Sequence, residues 1–290
     1  MSISRKTFLK VLGVTASSLA IGSELKASTA GIENSGGVEL KGMLYDMTRC
    51  IGCHGCEYDC AEAHGMPEPD IPRNPPYRRI DETRRTVVNK HETSGDTVPV
   101  KSQCMHCNQP ACTTACLTQA MHKTKEGPVI WREDKCMGCR YCMIACPFEI
   151  PKFEYASTNP KVIKCDMCHE LLQEGEIPAC AYYCSQEALT YGTRRELIAE
   201  ARKRIHDEPD KYVDYIYGEK EAGGTSWMYI SPVPFEELGF NTRVLKNSYP
   251  GLTKGFISSI APVDLLLPTF LLGVYEATKP SKNKNEEDVK

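Results

Sequence analysis

The chain has little from which to build an aromatic core, with two tryptophans and seven phenylalanines among 290 residues. Something other than large rings must hold a fold of this length together. Neither charge is in excess, at 35 Lys plus Arg against 38 Asp plus Glu. That balance excludes the basic footprint of a nucleic-acid binder. No histidine pair at zinc-finger spacing accompanies the cysteines. Also missing are a nucleophile with a convincing base, a phosphate-cradling loop and an open metal site, so no catalytic centre is assigned to this chain.

Cysteine, by contrast, is abundant: sixteen residues in four groups of four, with none left over. Cys50, Cys53, Cys56 and Cys60 follow the spacing C-x2-C-x2-C-x3-C. Cys104, Cys107, Cys112 and Cys116 have a longer x4 step in the middle. Cys136, Cys139, Cys142 and Cys146 repeat the first spacing and end in Pro147. In Cys165, Cys168, Cys180 and Cys184, eleven residues separate the inner pair. A tight C-x2-C-x2-C run wraps three thiolates round a shared centre, and the cysteine after x3 points to a second iron–sulfur cluster. Disulfides fit poorly, because neighbours so close in sequence rarely reach bridging geometry at so many places. The spacing therefore predicts four [4Fe–4S] clusters. The different-class alternative, a zinc-stabilised structural adaptor, would use the same thiolates without redox activity.

Two segments imitate another cofactor signal. Cys50-Ile51-Gly52-Cys53-His54 and Cys165-Asp166-Met167-Cys168-His169 both match C-x-x-C-H, the c-type haem attachment pattern. Haem would strand Cys56, Cys60, Cys180 and Cys184, whereas clusters use every cysteine. No haem is expected, and His54 and His169 are read as surface or supporting residues.

Outside the cysteine groups, residues 1–30 read as a targeting segment: Arg5-Lys6 precede a mildly apolar stretch and small residues near Ala27 to Ala30. It resembles a twin-arginine signal with lysine in the second position; an uncleaved N-terminal helix is the other reading. Residues 65–99, rich in proline and charge, predict a surface excursion rather than a helix. A short strand is expected at Val129-Ile130-Trp131 after the Gly127-Pro128 turn. Thr193 and Glu196 form a capping-box signal, and Leu197, Ile198, Ala201 and Ile205 give the following helix an apolar stripe. Its basic residues suit either a solvated face or an acidic partner. Residues 208–254 read as an extended arm, in which Trp227-Met228-Tyr229 marks either a partner contact or a strand packed on the chain itself. Gly255 to Tyr275 is apolar for twenty-one residues, interrupted by Pro262, Asp264 and Pro268. About 20 residues span a bilayer. This segment is read as a membrane-associated helix, spanning or packed against a membrane subunit, followed by a charged tail at 276–290 that agrees with a cytoplasmic end.

The architecture expected is α+β: two bacterial-ferredoxin-like modules, one inserted in the other. The outer module takes 42–100 plus 160–207, with groups one and four; the inserted one takes 101–159, with groups two and three.

Several stretches carry a family resemblance: Gly42-Met43-Leu44-Tyr45-Asp46, Gln103-Cys104-Met105-His106-Cys107, Cys139-Arg140-Tyr141-Cys142-Met143, Tyr191 to Leu197 and Tyr217 to Glu221. From about residue 42 to about 240 the chain resembles the four-cluster ferredoxin-type subunits of membrane-bound respiratory enzymes, above all the iron–sulfur subunits encoded with hydrogenase 2. More broadly it is similar to the formate dehydrogenase-N beta and molybdopterin oxidoreductase iron–sulfur subunits. The resemblance implies crossed ligation. Cys50, Cys53, Cys56 and Cys184 would hold the first cluster, and Cys60, Cys165, Cys168 and Cys180 the second. Cys104, Cys107, Cys112 and Cys146 would hold the third, and Cys116, Cys136, Cys139 and Cys142 the fourth. Leu117 and Ser185 stand where proline is common in the family, which changes a turn but removes no ligand. The implied role is a non-catalytic electron-transfer subunit on the periplasmic side of the cytoplasmic membrane. Its partners would be a periplasmic catalytic subunit, of nickel–iron hydrogenase or molybdopterin type, and a quinone-reactive membrane subunit. Formate dehydrogenase and sulfur-compound or oxyanion reductases are the alternatives to hydrogenase. Arg140, Lys161 and Lys164 are the cations expected near the clusters, either tuning them or simply solvated.

Overall fold

A continuous apolar run, Gly42-Met43-Leu44-Tyr45, forms the middle of strand β1 (Lys41–Asp46), which is buried on both faces. The computed structural model describes residues 39–72, 77–93 and 95–279. The targeting segment at 1–30 and the tail beyond residue 279 lie outside these. The described chain divides into two units, one running to Leu252 and the other beginning at Thr253.

In the first unit, β1 is flanked by β8 (Leu189–Thr193), antiparallel, and β9 (Trp227–Ile230), parallel. The register pairs Met43 with both Tyr191 and Trp227. Alternation along the strands sorts the two faces. Leu44, Met228 and Ile230 face the helix α6 (Arg194–Asp207), whose Leu197, Ala201 and Ile205 complete that layer. Met43, Tyr45, Trp227 and Tyr229 face the other way, into a core shared with Cys107 and Cys180. The sheet thus separates one amphipathic helix from the cysteine-rich half. Thr193 caps α6 in the predicted box: its hydroxyl accepts from the Glu196 N–H, and the Glu196 carboxylate answers the Thr193 backbone. The basic face of α6 is largely paired within the chain, Arg202 with Glu219 and Arg204 with Asp46 and Glu200.

Short helices alternate with the cysteine loops: α1 (Gly55–Ala63), α2 (Ala111–Thr114), α3 (Tyr141–Ala145), α4 (His169–Gln173) and α5 (Ala179–Tyr182). Three hairpins accompany them: β2–β3 (Val87–Glu92, Thr97–Ser102), β4–β5 (Met121–Lys123, Val129–Trp131) and β6–β7 (Lys152–Phe153, Val162–Ile163). The strand predicted at 129–131 is β5.

Two expectations need correction. Residues 65–99 hold no helix among the described residues, but their second half is not an excursion. Val87, Val88, Val98 and Val100 are buried, and their β-branched side chains build β2 and β3. Nor are residues 208–254 an arm. Trp227, Met228, Tyr229 and Ile230 are at most 1 % exposed, so the strand reading holds and the partner reading of Trp227 fails.

The second unit contains most of α7 (Tyr249–Thr278), thirty residues with none buried. Pro262 and Pro268 lie within it without ending it. An 18-residue window of this helix has mean hydropathy 1.8. The Ser258, Ser259 and Thr269 hydroxyls donate back to carbonyls three or four residues earlier, so they are satisfied within the helix, while Asp264 is exposed on it. By length and composition α7 can cross a membrane.

Candidate metal centre

All four cysteine groups turn the backbone in the same way. The second residue after the first cysteine is left-handed in each: Gly52 (φ 67), His106 (φ 47), Gly138 (φ 72) and Met167 (φ 60). Groups one, three and four add a second such residue just before a helix, His54 (φ 61), Arg140 (φ 60) and Cys168 (φ 48). After the last cysteine of groups two, three and four, the third residue is again left-handed: Gln119, Glu149 and Glu187. A non-glycine residue pays about 1 kcal/mol for this conformation. The return is backbone N–H groups aimed at sulfur. Gly52 donates to Cys50 Sγ, Met167 to Cys165 Sγ and Met121 to Cys116 Sγ, each at 3.4 Å.

Packing brings distant groups together. Helix α1, with Cys56 and Cys60, packs on α5, with Cys180; α2, with Cys112, packs on α3, with Cys142. Cys184 lies in electrostatic range of Cys50. Cys60 has Cys168 and Cys180 as neighbours, and Cys165 has Cys60 and Cys180. Cys107 is surrounded by Cys104, Cys112 and Cys146, and Cys142 by Cys116, Cys136 and Cys139. Further thiols neighbour across these sets: Cys56 with Cys180, Cys165 with Cys104, and Cys112 with Cys142. Among the sixteen, Cys53 and Cys139 are exposed.

Burial, and then mutual repulsion, drives most of these thiols upward. Cys60 is pushed to about 12 and Cys142 to about 11, while Cys107 and Cys165 rise well above the ordinary value. Burial also raises Cys168 and Cys146 to about 11, against opposing backbone hydrogen bonds. Such thiols keep their protons until a metal displaces them. Cys116 is the reverse: burial would raise it, but N–H donors and the Thr118 hydroxyl bring it below the ordinary value.

Buried cations stand among the thiols. Lys164 is 3 % exposed and donates to the carbonyls of Val129 and Cys165. Lys123 donates to the carbonyls of His106 and Gly127, and burial brings it down to about 8 against the opposing pull of Cys107, Cys104 and Cys112. Lys101 is 2 % exposed. His106 is fully buried; its Nδ1 accepts from the Val129 N–H at 2.8 Å, which places the proton on Nε2, a donor without a partner among the described residues. Clustered thiols, N–H groups directed at sulfur and buried ammonium groups all fit an anionic thiolate-bound iron–sulfur group.

Of the cations named from sequence, only Lys164 is buried; Lys161 is exposed, and Arg140 lies over the rings of Phe153 and Tyr155 at 5.5 and 5.6 Å. Sequence reasoning misses Lys101 and Lys123, because a lysine in a short strand reads as solvent-facing. The two histidines of the haem-like segments differ. His54 is mostly buried, with Nδ1 2.9 Å from Glu57, whereas His169 opens α4 and is partly exposed. His64, at the end of α1, reaches both Asp166 (3.4 Å) and Cys168 Sγ (3.6 Å), tying group one to group four.

Residues 96–194, which include the second, third and fourth cysteine groups, match the 4Fe-4S dicluster domain family. Hydrogenase-2 operon protein HybA of Escherichia coli O157:H7 is 34 % identical over 81 % of this chain and 83 % of its own length. The chain belongs to the ferredoxin-type iron–sulfur subunit family. A protein of Nitratidesulfovibrio vulgaris is 42 % identical over 95 % of this chain and 77 % of its own. The B subunit of anaerobic dimethyl sulfoxide reductase from Escherichia coli K12 is 36 % identical over 57 % of this chain and 78 % of its own. As an iron–sulfur subunit, this protein transfers electrons within an oxidoreductase complex.

Proposed function

We propose that this subunit holds four [4Fe–4S] clusters in a row and relays electrons between a periplasmic nickel–iron hydrogenase subunit and a quinone-reactive membrane subunit. The ligand sets are Cys50, Cys53, Cys56 with Cys184; Cys60 with Cys165, Cys168, Cys180; Cys104, Cys107, Cys112 with Cys146; and Cys116 with Cys136, Cys139, Cys142. The neighbouring of thiols within each set supports this division. The modules 42–100 plus 160–207 and 101–159 follow from it, with α1 against α5 in one and α2 against α3 in the other. When bound, such clusters supply one-electron carriers with delocalised charge.

The observation that carries the reading is where exposure falls. Cys53 and Cys139 belong to the first and fourth sets, so a partner can approach each end of the row. Between the ends, thiols of successive sets neighbour one another at Cys56 and Cys180, Cys165 and Cys104, and Cys112 and Cys142. Helix α7 supplies the anchor, and the Arg5-Lys6 segment the export signal. The second reading keeps the relay and exchanges hydrogenase for a molybdopterin oxidoreductase; the likeness to the B subunit of anaerobic dimethyl sulfoxide reductase favours it.

Iron and acid-labile sulfide analysis tests the cofactor content. About sixteen irons per chain are expected for complete cubanes; zinc in their place, or a c-type pyridine haemochrome spectrum, rejects it. Copurification in mild detergent decides the partner. A hydrogenase with a polytopic membrane protein is expected, and a molybdopterin subunit selects the second reading.

A further inference from the structure

We infer that Lys101 is the shared counter-charge of the first two clusters and holds their reduction potentials above those their thiolate shells alone would set. The inference rests on the ligand sets proposed above.

Lys101 lies in β3 opposite Val88, between the buried Val100 and the half-buried Ser102. Its ammonium donates to the Thr86 hydroxyl and stands 5.4 Å from the centre of the Trp227 ring. Both partners are uncharged. Among the described residues no carboxylate comes within 4.0 Å of this nitrogen, although Asp59 lies in its electrostatic range. A cation so deeply buried is costly without an opposite charge. The thiols in its electrostatic range are Cys56, Cys180, Cys60 and Cys165. Cys56 belongs to the first set and the other three to the second, so the ammonium serves both.

The physical consequence has one sign. A thiolate-bound cubane becomes more negative on reduction, so a fixed cation stabilises the reduced state more than the oxidised one and raises the potential. Low dielectric strengthens the effect and salt screens it little. The third set has its own buried cations in Lys123 and Lys164, each within range of Cys112. The thiols that act on Lys101 belong to the first two sets, where Arg85, also in range of Cys60 and Cys165, is already paired with Asp166.

The test is an EPR-monitored redox titration of the detergent-solubilised complex carrying wild-type subunit, Lys101→Met or Lys101→Arg. Iron and sulfide content is measured first. If the wild type lacks about sixteen irons or four resolved midpoints, the four-cluster reading itself fails. With four midpoints resolved, Lys101→Met is expected to lower two and leave two in place, while Lys101→Arg keeps all four near wild type. No shift, or an equal shift of all four, overturns the inference. Should Lys101→Met lose iron, Thr86→Val carries the test, since it keeps the ammonium and removes its hydrogen-bond anchor. The same two midpoints are then expected to move, and absence of a selective shift overturns the inference.

Discussion

Gly52 and Gly138 occupy equivalent places in groups one and three, yet their surroundings differ. An alanine at either would hold a left-handed backbone, at about 1 kcal/mol. At Gly52 its Cβ would also come within 3.1 Å of the Lys90 side chain and 3.3 Å of Pro99, whereas at Gly138 the nearest atom is 3.8 Å away. Gly52→Ala is therefore expected to bleach faster than Gly138→Ala when cluster absorbance is followed during mild heating. Equal rates would mean that the hairpin does not press on the first loop. At the same scale, Glu57 binds Arg78 through both carboxylate oxygens, at 2.6 and 2.8 Å, and accepts from the Val88 N–H at 2.7 Å. Arg78→Leu would leave that carboxylate buried and unpaired, a loss of about 3–5 kcal/mol. Burial acts to raise Glu57, but Arg78, His54 and Val88 together hold it below the ordinary carboxylate value. Its folded value is depressed, so its contribution is complete above the unfolded value of about 4.3 and is lost as pH falls through the folded one. The stability gap between wild type and Arg78→Leu, read from urea unfolding, should be widest at neutral pH and close toward acid.

Elements differ in how openly the sequence declares them. The Thr193–Glu196 box announces α6 because its signal is local and bound to a cap geometry. Thr193→Ala tests the box: removing a cap of this type costs about 1 kcal/mol, seen as a lowered thermal midpoint with cluster content unchanged. Strand β9 is legible only as one of two readings because Trp227-Met228-Tyr229-Ile230 is buried on both faces, so no alternation of polar and apolar residues marks it. The β2–β3 hairpin is masked by the proline-rich stretch before it, which sets the character of the whole window. At the site, all sixteen thiols are legible from spacing, and Lys164 is legible from its place beside Cys165. Lys101 and Lys123 have ordinary neighbours in sequence, and only the fold brings thiols round them.

For the molecule as a whole, the scarcity of Trp and Phe acquires a cause. Cys107, Cys112, Cys142 and Cys180 are members of the hydrophobic clusters themselves, so ligand loops and core are one structure. Removing iron with a chelator under reducing conditions is expected to abolish cooperative unfolding and open the chain to protease throughout the first unit; an apoprotein that still melts cooperatively would show a core independent of metal. Deleting residues 253–290 should shift the isolated subunit from the membrane to the soluble fraction with its iron content retained. The three-stranded sheet also dictates an order of events. The second and third cysteine groups finish at Cys146, close together in the chain, and α2 can meet α3 as soon as that stretch has emerged from the ribosome. Strand β1, which leads into Cys50, finds its neighbours only when Leu189–Thr193 and Trp227–Ile230 have been made. Biosynthesis must therefore keep the earliest cysteines waiting the longest, without their strand partners while the rest of the chain is translated.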